Sequence, residues 1–321
     1  MRLPCLSGAR SGAALGPPVR SGVPASTSPD LPPPGPVPCV LDTDTFNEVD
    51  DQFALAWMLR RPDRFDLRAV TAAPFLNGLV SSPAEGMRLS AEEARRVAAL
   101  CGREEVPVVE GAERFSGGGV VESPAVERIL ELSREVGAGG SGRTGGSGGG
   151  PLHVVAIGAL TNVASALWKD PTLRERIVLH WLGGHTPPHR IEHEFNHGQD
   201  TAAGDAAFGG VPLVWSPCKN VASHLLTTAA ELERDFEPRG PLAAFLTGRV
   251  REHLTTAGAD GPPPAAAKEI WDLCPVAWLL GGEEMVETAE APNPLGGAPI
   301  RSAIYVRRNA VFARLFDDLA G

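Results

Sequence analysis

Five carboxylates fall within ten residues in the segment V-L-D-T-D-T-F-N-E-V-D-D, residues 40–51: Asp42, Asp44, Glu48, Asp50 and Asp51. Side chains of one sign repel, and burying them together is costly unless a cation compensates. Ca²⁺ and Mg²⁺ take oxygen ligands, so a hard divalent cation is the simplest compensator. The apolar run that follows, Gln52-Phe53-Ala54-Leu55-Ala56-Trp57, reads as a helix. The acidic segment is therefore a strand-to-helix turn with the makings of a metal site.

Histidines form a second concentration. His185, His189, His193 and His197 recur every four residues, which on a helix would make one metal-binding face. Pro187-Pro188 interrupts any such helix, so the segment reads as a polar loop over the mouth of a site. One of these imidazoles could act as an acid toward a leaving group.

The elements that must position these groups alternate. Cys39-Val40-Leu41 reads as a buried strand, Asp50–Arg60 as a helix with an acidic start, and Leu67–Ala72 as a second strand. A helix over 84–101, a strand over Val106–Val109 and a helix from Pro124 to Val136 follow. After a glycine-dominated stretch at 137–150, read as a flexible insertion, the alternation resumes. Leu152–Ile157 is a strand, 162–168 a helix, Ile177–Leu182 a strand, 200–208 a helix and Val211–Trp215 a strand. The last third reads as mainly helical, over 227–236, 240–255 and 266–280, with short strands near 284–288 and 302–306. Such alternation predicts an α/β fold with one mostly parallel, helix-covered, Rossmann-like open sheet. Ligands of such sheets bind beyond the carboxyl ends of the strands, where the acidic turn, Thr161-Asn162 and Gly183-Gly184 all fall.

The remaining composition narrows the class. The chain has 321 residues and a net charge of −10, which argues against a nucleic-acid partner. It contains no apolar run long enough to span a membrane. Five scattered cysteines without a C-x-x-C pair suit reduced thiols in the cytoplasm. Ten of residues 1–38 are proline, so 1–37 reads as a disordered tail before one domain at 38–321.

The acidic turn resembles the calcium-binding fingerprint of the inosine–uridine-preferring nucleoside hydrolases, whose usual form is D-x-D-P-G-x-D-D. Here Thr45–Val49 replaces the three residues expected, as in a branch of that family reading D-T-D-x-x-N-E-I-D-D-Q-F-A. Ala72-Ala73-Pro74-Phe75 with Asn77 also fits that branch. Gly158–Asn162 is similar to the family's G-P-L-T-N turn, and Glu194-Phe195-Asn196 to its E-F-N motif. Trp271-Asp272 resembles its H-D pair, with tryptophan in place of histidine.

The resemblance implies a nucleoside-hydrolase-like fold and a Ca²⁺-dependent nucleoside N-ribohydrolase that releases ribose and a free base. It implies Ca²⁺ held by Asp44, Asp51 and Asp272 through carboxylates and by Thr161 through its carbonyl, with Asp42 in support. Asp44 would take a proton from the attacking water. Asp50 and Asn196 would hold ribose hydroxyls, Glu194 would lie near the 5′-hydroxyl, and Asn77 would join the substrate site. Trp271 could stack on the base. Family members commonly form homodimers or homotetramers. Two other functions fit parts of the pattern. Val40–Thr45 matches the nucleophile motif of haloacid-dehalogenase-type Mg²⁺ phosphatases, with Asp42 as nucleophile. A nucleoside- or ribose-binding protein without turnover would explain the histidine missing at position 271.

Overall fold

The computed structural model describes residues 32–137, 150–255, 261–263 and 265–321. Residues 1–31 of the expected proline-rich tail and 138–149 of the expected glycine-rich insertion lie outside them. The first two thirds alternate as the sequence predicts. Strands β1 (Val37–Thr43), β2 (Phe65–Ala72), β3 (Val108–Val109), β4 (Leu152–Ala156), β5 (Ile177–Leu182) and β6 (Leu213–Ser216) interleave with helices. These helices are α1 (Asp51–Arg60), α2 (Pro83–Leu100), α3 (Pro124–Gly137), α4 (Thr161–Lys169), α5 (Phe195–Gln199) and α6 (Thr201–Ala207). Then come β7 (Leu226–Thr228), α7 (Ala229–Asp235), α8 (Pro241–Leu254), β8 (Ala267–Glu269) and α9 (Leu273–Gly281). Strands β9 (Val286–Ala291) and β10 (Ile300–Val306) and helix α10 (Arg308–Asp318) close the chain.

Eight strands form one sheet in the order β3-β2-β1-β4-β5-β6-β10-β9. Every pairing is parallel except β10 with β9. The chain thus moves outward from β1 to β3, returns to the other side of β1, and moves outward again through β6. That reversal opens a crevice between β1 and β4 at the carboxyl ends of the strands.

Both faces of the sheet are covered, so β1 and β4 are apolar almost throughout. Leu41 and Val155 face a core with Phe53 and Trp57 of α1, Trp278 of α9 and Phe312 of α10. Val40 and Val154 face the opposite core with Ile129 of α3, Leu167 of α4 and Trp181 of β5. Adjacent strand residues point to opposite faces, which is why neighbours in sequence belong to different cores.

Three expectations are corrected. Only Val108–Val109 of the run from Val106 is strand. Residues 266–272 are not the start of a helix: Ala267–Glu269 forms β8, paired antiparallel with β7, and α9 begins at Leu273. The segment 227–236 opens with the end of β7 rather than with helix. Helix α10 has no counterpart among the predicted elements.

Candidate active site

A cavity of about 240 Å³ lies at the crevice. Asp44, Asn47, Glu48, Asp50 and Asp51 of the acidic turn line it, with Ile157 after β4 and Leu182 at the end of β5. His185, His193, Glu194, Phe195 and Asn196 contribute from the β5–α5 segment, Cys218 and Lys219 from beyond β6, and Trp271 and Asp272 from the start of α9. Four of these five segments meet because the parallel strands they follow end on the same side of the sheet, and the fifth, Trp271-Asp272, arrives from β8.

Local structure sets each carboxylate. Asp44 lies just past β1, against the turn after β4. A Cβ at Gly158 would stand 3.1 Å from Asp44 Oδ1, so glycine is what admits the carboxylate there. Asp44 Oδ2 is buried with no protein partner. Asp51 accepts a 2.5 Å hydrogen bond from the Thr43 hydroxyl. Asp50 and Asp272 stand immediately before α1 and α9, yet neither carboxylate makes a capping bond. Their carboxylates remain available for something else. Carboxylate oxygens of the two residues lie within 4.8 Å of each other, so the two helix starts face one spot.

Crowding shows in the protonation of these groups. Burial, then the charge of Asp51, holds the Asp44 carboxyl well above its ordinary range. Burial and the charge of Asp50 do the same to Asp272. Asp50 is pushed up to about 6 by burial, against the opposing pull of the Lys268 ammonium. Asp51 is pushed up to about 7 by burial and then by Asp50. A bound cation would reverse these shifts.

The donor set suits a hard cation. Carboxylate oxygens of Asp50, Asp51 and Asp272 lie within 4.8 Å of one another, and all three residues are buried. Asp44 adds its unpartnered oxygen from the same cavity. An all-oxygen cluster of this kind fits Ca²⁺ or Mg²⁺ and lacks the nitrogen and sulfur donors that zinc favours.

Among the other predicted site residues, Asn196 donates from Nδ2 to the carbonyls of Ile157 and Leu182, at 2.9 and 3.2 Å. This tethers it across the ends of β4 and β5. Glu194 accepts from the backbone N–H groups of Asn196, His197 and Gly184, at 2.9, 2.9 and 2.7 Å. It therefore caps α5 while lining the cavity. Trp271 lines the cavity and packs on the larger core.

Three predicted residues stand behind the cavity. Asp42 accepts from Thr71 Oγ1 at 2.6 Å and Asn162 Nδ2 at 2.9 Å and has no exposed surface. That suits support, and since Asp42 is not among the residues lining the cavity it does not face a substrate there as the nucleophile of the phosphatase alternative would. Asn77 donates to Asn47 Oδ1 at 2.8 Å, and it is Asn47 that lines the cavity. Thr161 is buried at the start of α4, with its hydroxyl donating to Asp200 at 2.7 Å.

Of the four spaced histidines, His185 and His193 line the cavity mouth, as a polar loop there would require. His197 instead is buried against Trp181 and lies 3.1 Å from Asp205. Sequence reasoning missed Lys268, Cys218, Asn47 and Phe195. Lys268 sits four residues before Asp272, and an isolated lysine in the alanine-rich stretch 265–269 was the available signal.

Comparison with known proteins fits this geometry. The family model for inosine–uridine-preferring nucleoside hydrolases matches residues 39–295. The chain belongs to that family, and it is a hydrolase acting on N-glycosyl bonds. No curated protein matches the sequence. Among solved structures, a plant nucleoside hydrolase superposes with a TM-score of 0.65 at 20% identity, covering 90% of this chain and 100% of its own. A purine-preferring ribonucleoside hydrolase from Gardnerella vaginalis gives 0.64 at 22% identity, covering 88% and 98%. An inosine–uridine-preferring nucleoside hydrolase from Bacillus anthracis gives 0.60 at 16% identity, covering 89% and 99%. These likenesses show a shared fold.

Proposed function

We propose that the protein is a Ca²⁺-dependent ribonucleoside hydrolase that splits the N-glycosidic bond to give ribose and a free purine or pyrimidine. The observation that carries this reading is the convergence of Asp44, Asp50, Asp51, Asp272, Glu194 and Asn196 on one cavity at the β1–β4 crevice. Asp44, Asp51 and Asp272, with the Thr161 carbonyl, are the proposed Ca²⁺ ligands, and Asp42 supports them. When bound, the cation supplies Lewis-acid polarisation of water and orientation of the sugar diol.

The chain's own residues carry the rest. Asp44, with one buried oxygen free of protein partners, accepts the proton of the attacking water. Water oxygen bonds to the anomeric carbon as the bond to the base nitrogen breaks, the electron pair leaves with the base, and the base nitrogen takes a proton from solvent as Asp44 returns its own there. The surrounding carboxylates favour the positive charge that develops on the sugar ring. Asp50 and Asn196 hold ribose hydroxyls, Glu194 lies toward the 5′-hydroxyl, and Asn77 acts through Asn47.

The base meets Trp271 and the histidine-bearing rim. His185 Nδ1 accepts the Lys219 backbone N–H at 3.4 Å, which leaves Nε2 as the donor. Burial, then the Lys219 charge, pushes His185 down to about 4, so at neutral pH its ring is uncharged. His185 thus serves as a hydrogen-bond donor to the departing base rather than as a carried proton.

The four described cysteines, Cys39, Cys101, Cys218 and Cys274, are buried free thiols, which supports a cytoplasmic setting. The reading extends to a homodimer or homotetramer, which light scattering checks. The decisive experiment is a reducing-sugar assay over a panel of nucleosides, comparing wild type, Asp44→Asn and Ca²⁺ chelation. Loss of sugar release in the last two supports the mechanism, and unchanged activity in Asp44→Asn sinks it.

A further inference from the structure

Glu48 belongs to the stretch by which the acidic turn exceeds the usual family form, and the mechanism above gives it no task. Its Oε2 lies 2.7 Å from Lys268 Nζ. The lysine side chain is only 6% exposed, whereas Glu48 is 43% exposed and lines the cavity. Lys268 Nζ also donates to the Glu269 carbonyl at 2.6 Å. An ammonium this deep is expensive to bury unless its surroundings are negative. Asp50 and Glu48 are the carboxylates acting on it most strongly, followed by Asp272.

Placement in the fold gives the pair its consequence. Lys268 is the middle residue of β8, whose strand partner is the three-residue β7. The chain then runs through Ile270, whose N–H donates to the Leu225 carbonyl, into Trp271-Asp272. Glu48 sits two residues before Asp50, and its own carbonyl accepts from Gln52 Nε2 at 3.5 Å. The Lys268–Glu48 contact therefore spans the acidic turn and the segment that delivers Trp271 and Asp272.

We propose that Lys268 and Glu48 are a positioning pair that sets the spacing between Asp50 and Asp272 for a ribosyl ligand, while the lysine charge moderates cation binding. This rests on the ribonucleoside reading given above. The pair has opposite effects on its two neighbours. The lysine repels any divalent cation in the cavity, so it weakens metal binding. It holds the two halves of the sugar site together, so it strengthens sugar binding. A lysine that only propped up the fold would strengthen both.

The test measures Ca²⁺ affinity by titration calorimetry, nucleoside KM and kcat, and Tm, in Lys268→Met, Lys268→Arg, Glu48→Gln and the double variant Glu48→Gln/Lys268→Met. Removing one charge near the cation should tighten Ca²⁺ binding in Lys268→Met by about tenfold. KM should rise by about tenfold in the same variant, more than kcat falls. Lys268→Arg should restore Ca²⁺ affinity and most of KM. Glu48→Gln should weaken Ca²⁺ binding, and the double variant should return it to within about twofold of wild type while KM stays raised. The pair is overturned if Lys268→Met binds Ca²⁺ more weakly along with a lower Tm, or if neither affinity moves. Failure of the ribonucleoside reading would look different: wild type itself would release no sugar from any nucleoside, whatever the Ca²⁺ titrations of the variants gave.

Discussion

The sheet buries two sets of ionisable side chains. At the carboxyl ends of the strands, carboxylates crowd one cavity. In the body of the sheet, His153 of β4 and His180 of β5 are sealed together, with His153 Nδ1 and His180 Nε2 2.8 Å apart. Their rings stack at 5.1 Å, and Trp278 lies 5.4 Å from His180. One neutral imidazole can donate to another, so each ring satisfies one nitrogen of its neighbour, while His180 Nδ1 stays buried without a partner. Burial, ahead of the Arg64 charge, pushes His153 down to about 4, and burial also holds His180 well below its ordinary value. Ionised carboxylates can only accept, so without a cation this cluster retains protons that a bound cation or a ligand's hydroxyls would displace. Burial leaves the histidines neutral and bonded to each other inside the sheet, whereas the aspartates crowd a cavity that can admit a cation or a ligand.

That contrast breaks first at Asp44. Asp44→Asn removes the proposed base from the cavity, and kcat on the best nucleoside should fall by about a thousandfold. The metal-free variant should also unfold at a higher temperature than metal-free wild type, since a repelling buried charge is gone; thermal denaturation in chelator checks this. His153→Leu should leave kcat unchanged.

Metal linkage sharpens the comparison next. Asp50 and Asp51 titrate near 6 and 7 in the metal-free fold, against 3.8 for an ordinary carboxyl. The folded state therefore holds protons that the unfolded chain has released. Their stabilising contribution is complete below pH 3.8 and is lost as pH rises through 6 to 7. Added Ca²⁺ should then raise Tm more at pH 7 than at pH 5, because protons compete with it at the lower pH; at pH 7 a hundredfold excess over Kd adds about 2.7 kcal/mol of stability. A Ca²⁺ increment independent of pH would separate the cation from these aspartates.

The histidine pair should behave with the opposite sign. Its ordinary value of 6.5 falls to about 4 at His153, so the unfolded chain binds protons the folded one refuses. Stability from the pair is complete above pH 6.5 and is lost as pH falls toward 4. His153→Leu leaves His180 without its partner and should cost about 1–3 kcal/mol at pH 7. Denaturant titrations at pH 7 and pH 5 should show that cost shrinking at the lower pH.

The smallest expected effect is at the cavity rim. Trp271→Ala removes a stacking surface worth about 0.5–1.5 kcal/mol and should raise KM for the preferred nucleoside about three- to tenfold. Equal kinetics on every nucleoside would remove Trp271 from base recognition.

Much of this was legible in sequence, for identifiable reasons. The acidic turn declares itself because five like charges in ten residues have few uses besides cation binding. The alternation from β1 to β6 is legible because strands covered on both faces are continuous apolar runs separated by amphipathic helices. The segment 266–272 was not legible. Its alanines favour helix locally, and pairing with β7 overrides that preference. Lys268 vanished with it, since a lysine in a presumed helix reads as solvent-facing. Asn77 and Thr161 were recognisable as site-associated residues, but their contacts with Asn47 and Asp200 depend on loops whose path no periodicity encodes.

Residue types and their order determined the α/β class, the acidic turn and the set of oxygen donors, because charge density and hydrophobic period are local properties of a chain. Tertiary structure alone decided which donors meet. It brought Asp272 beside Asp50 and Asp51, turned His185 into the cavity and His197 away, and set Lys268 against Glu48. These are encounters between segments up to some two hundred residues apart: parallel strands deliver the ends of β1, β4, β5 and β6 to one edge of one sheet, and the pairing of β8 with β7 precedes the segment that brings in Asp272.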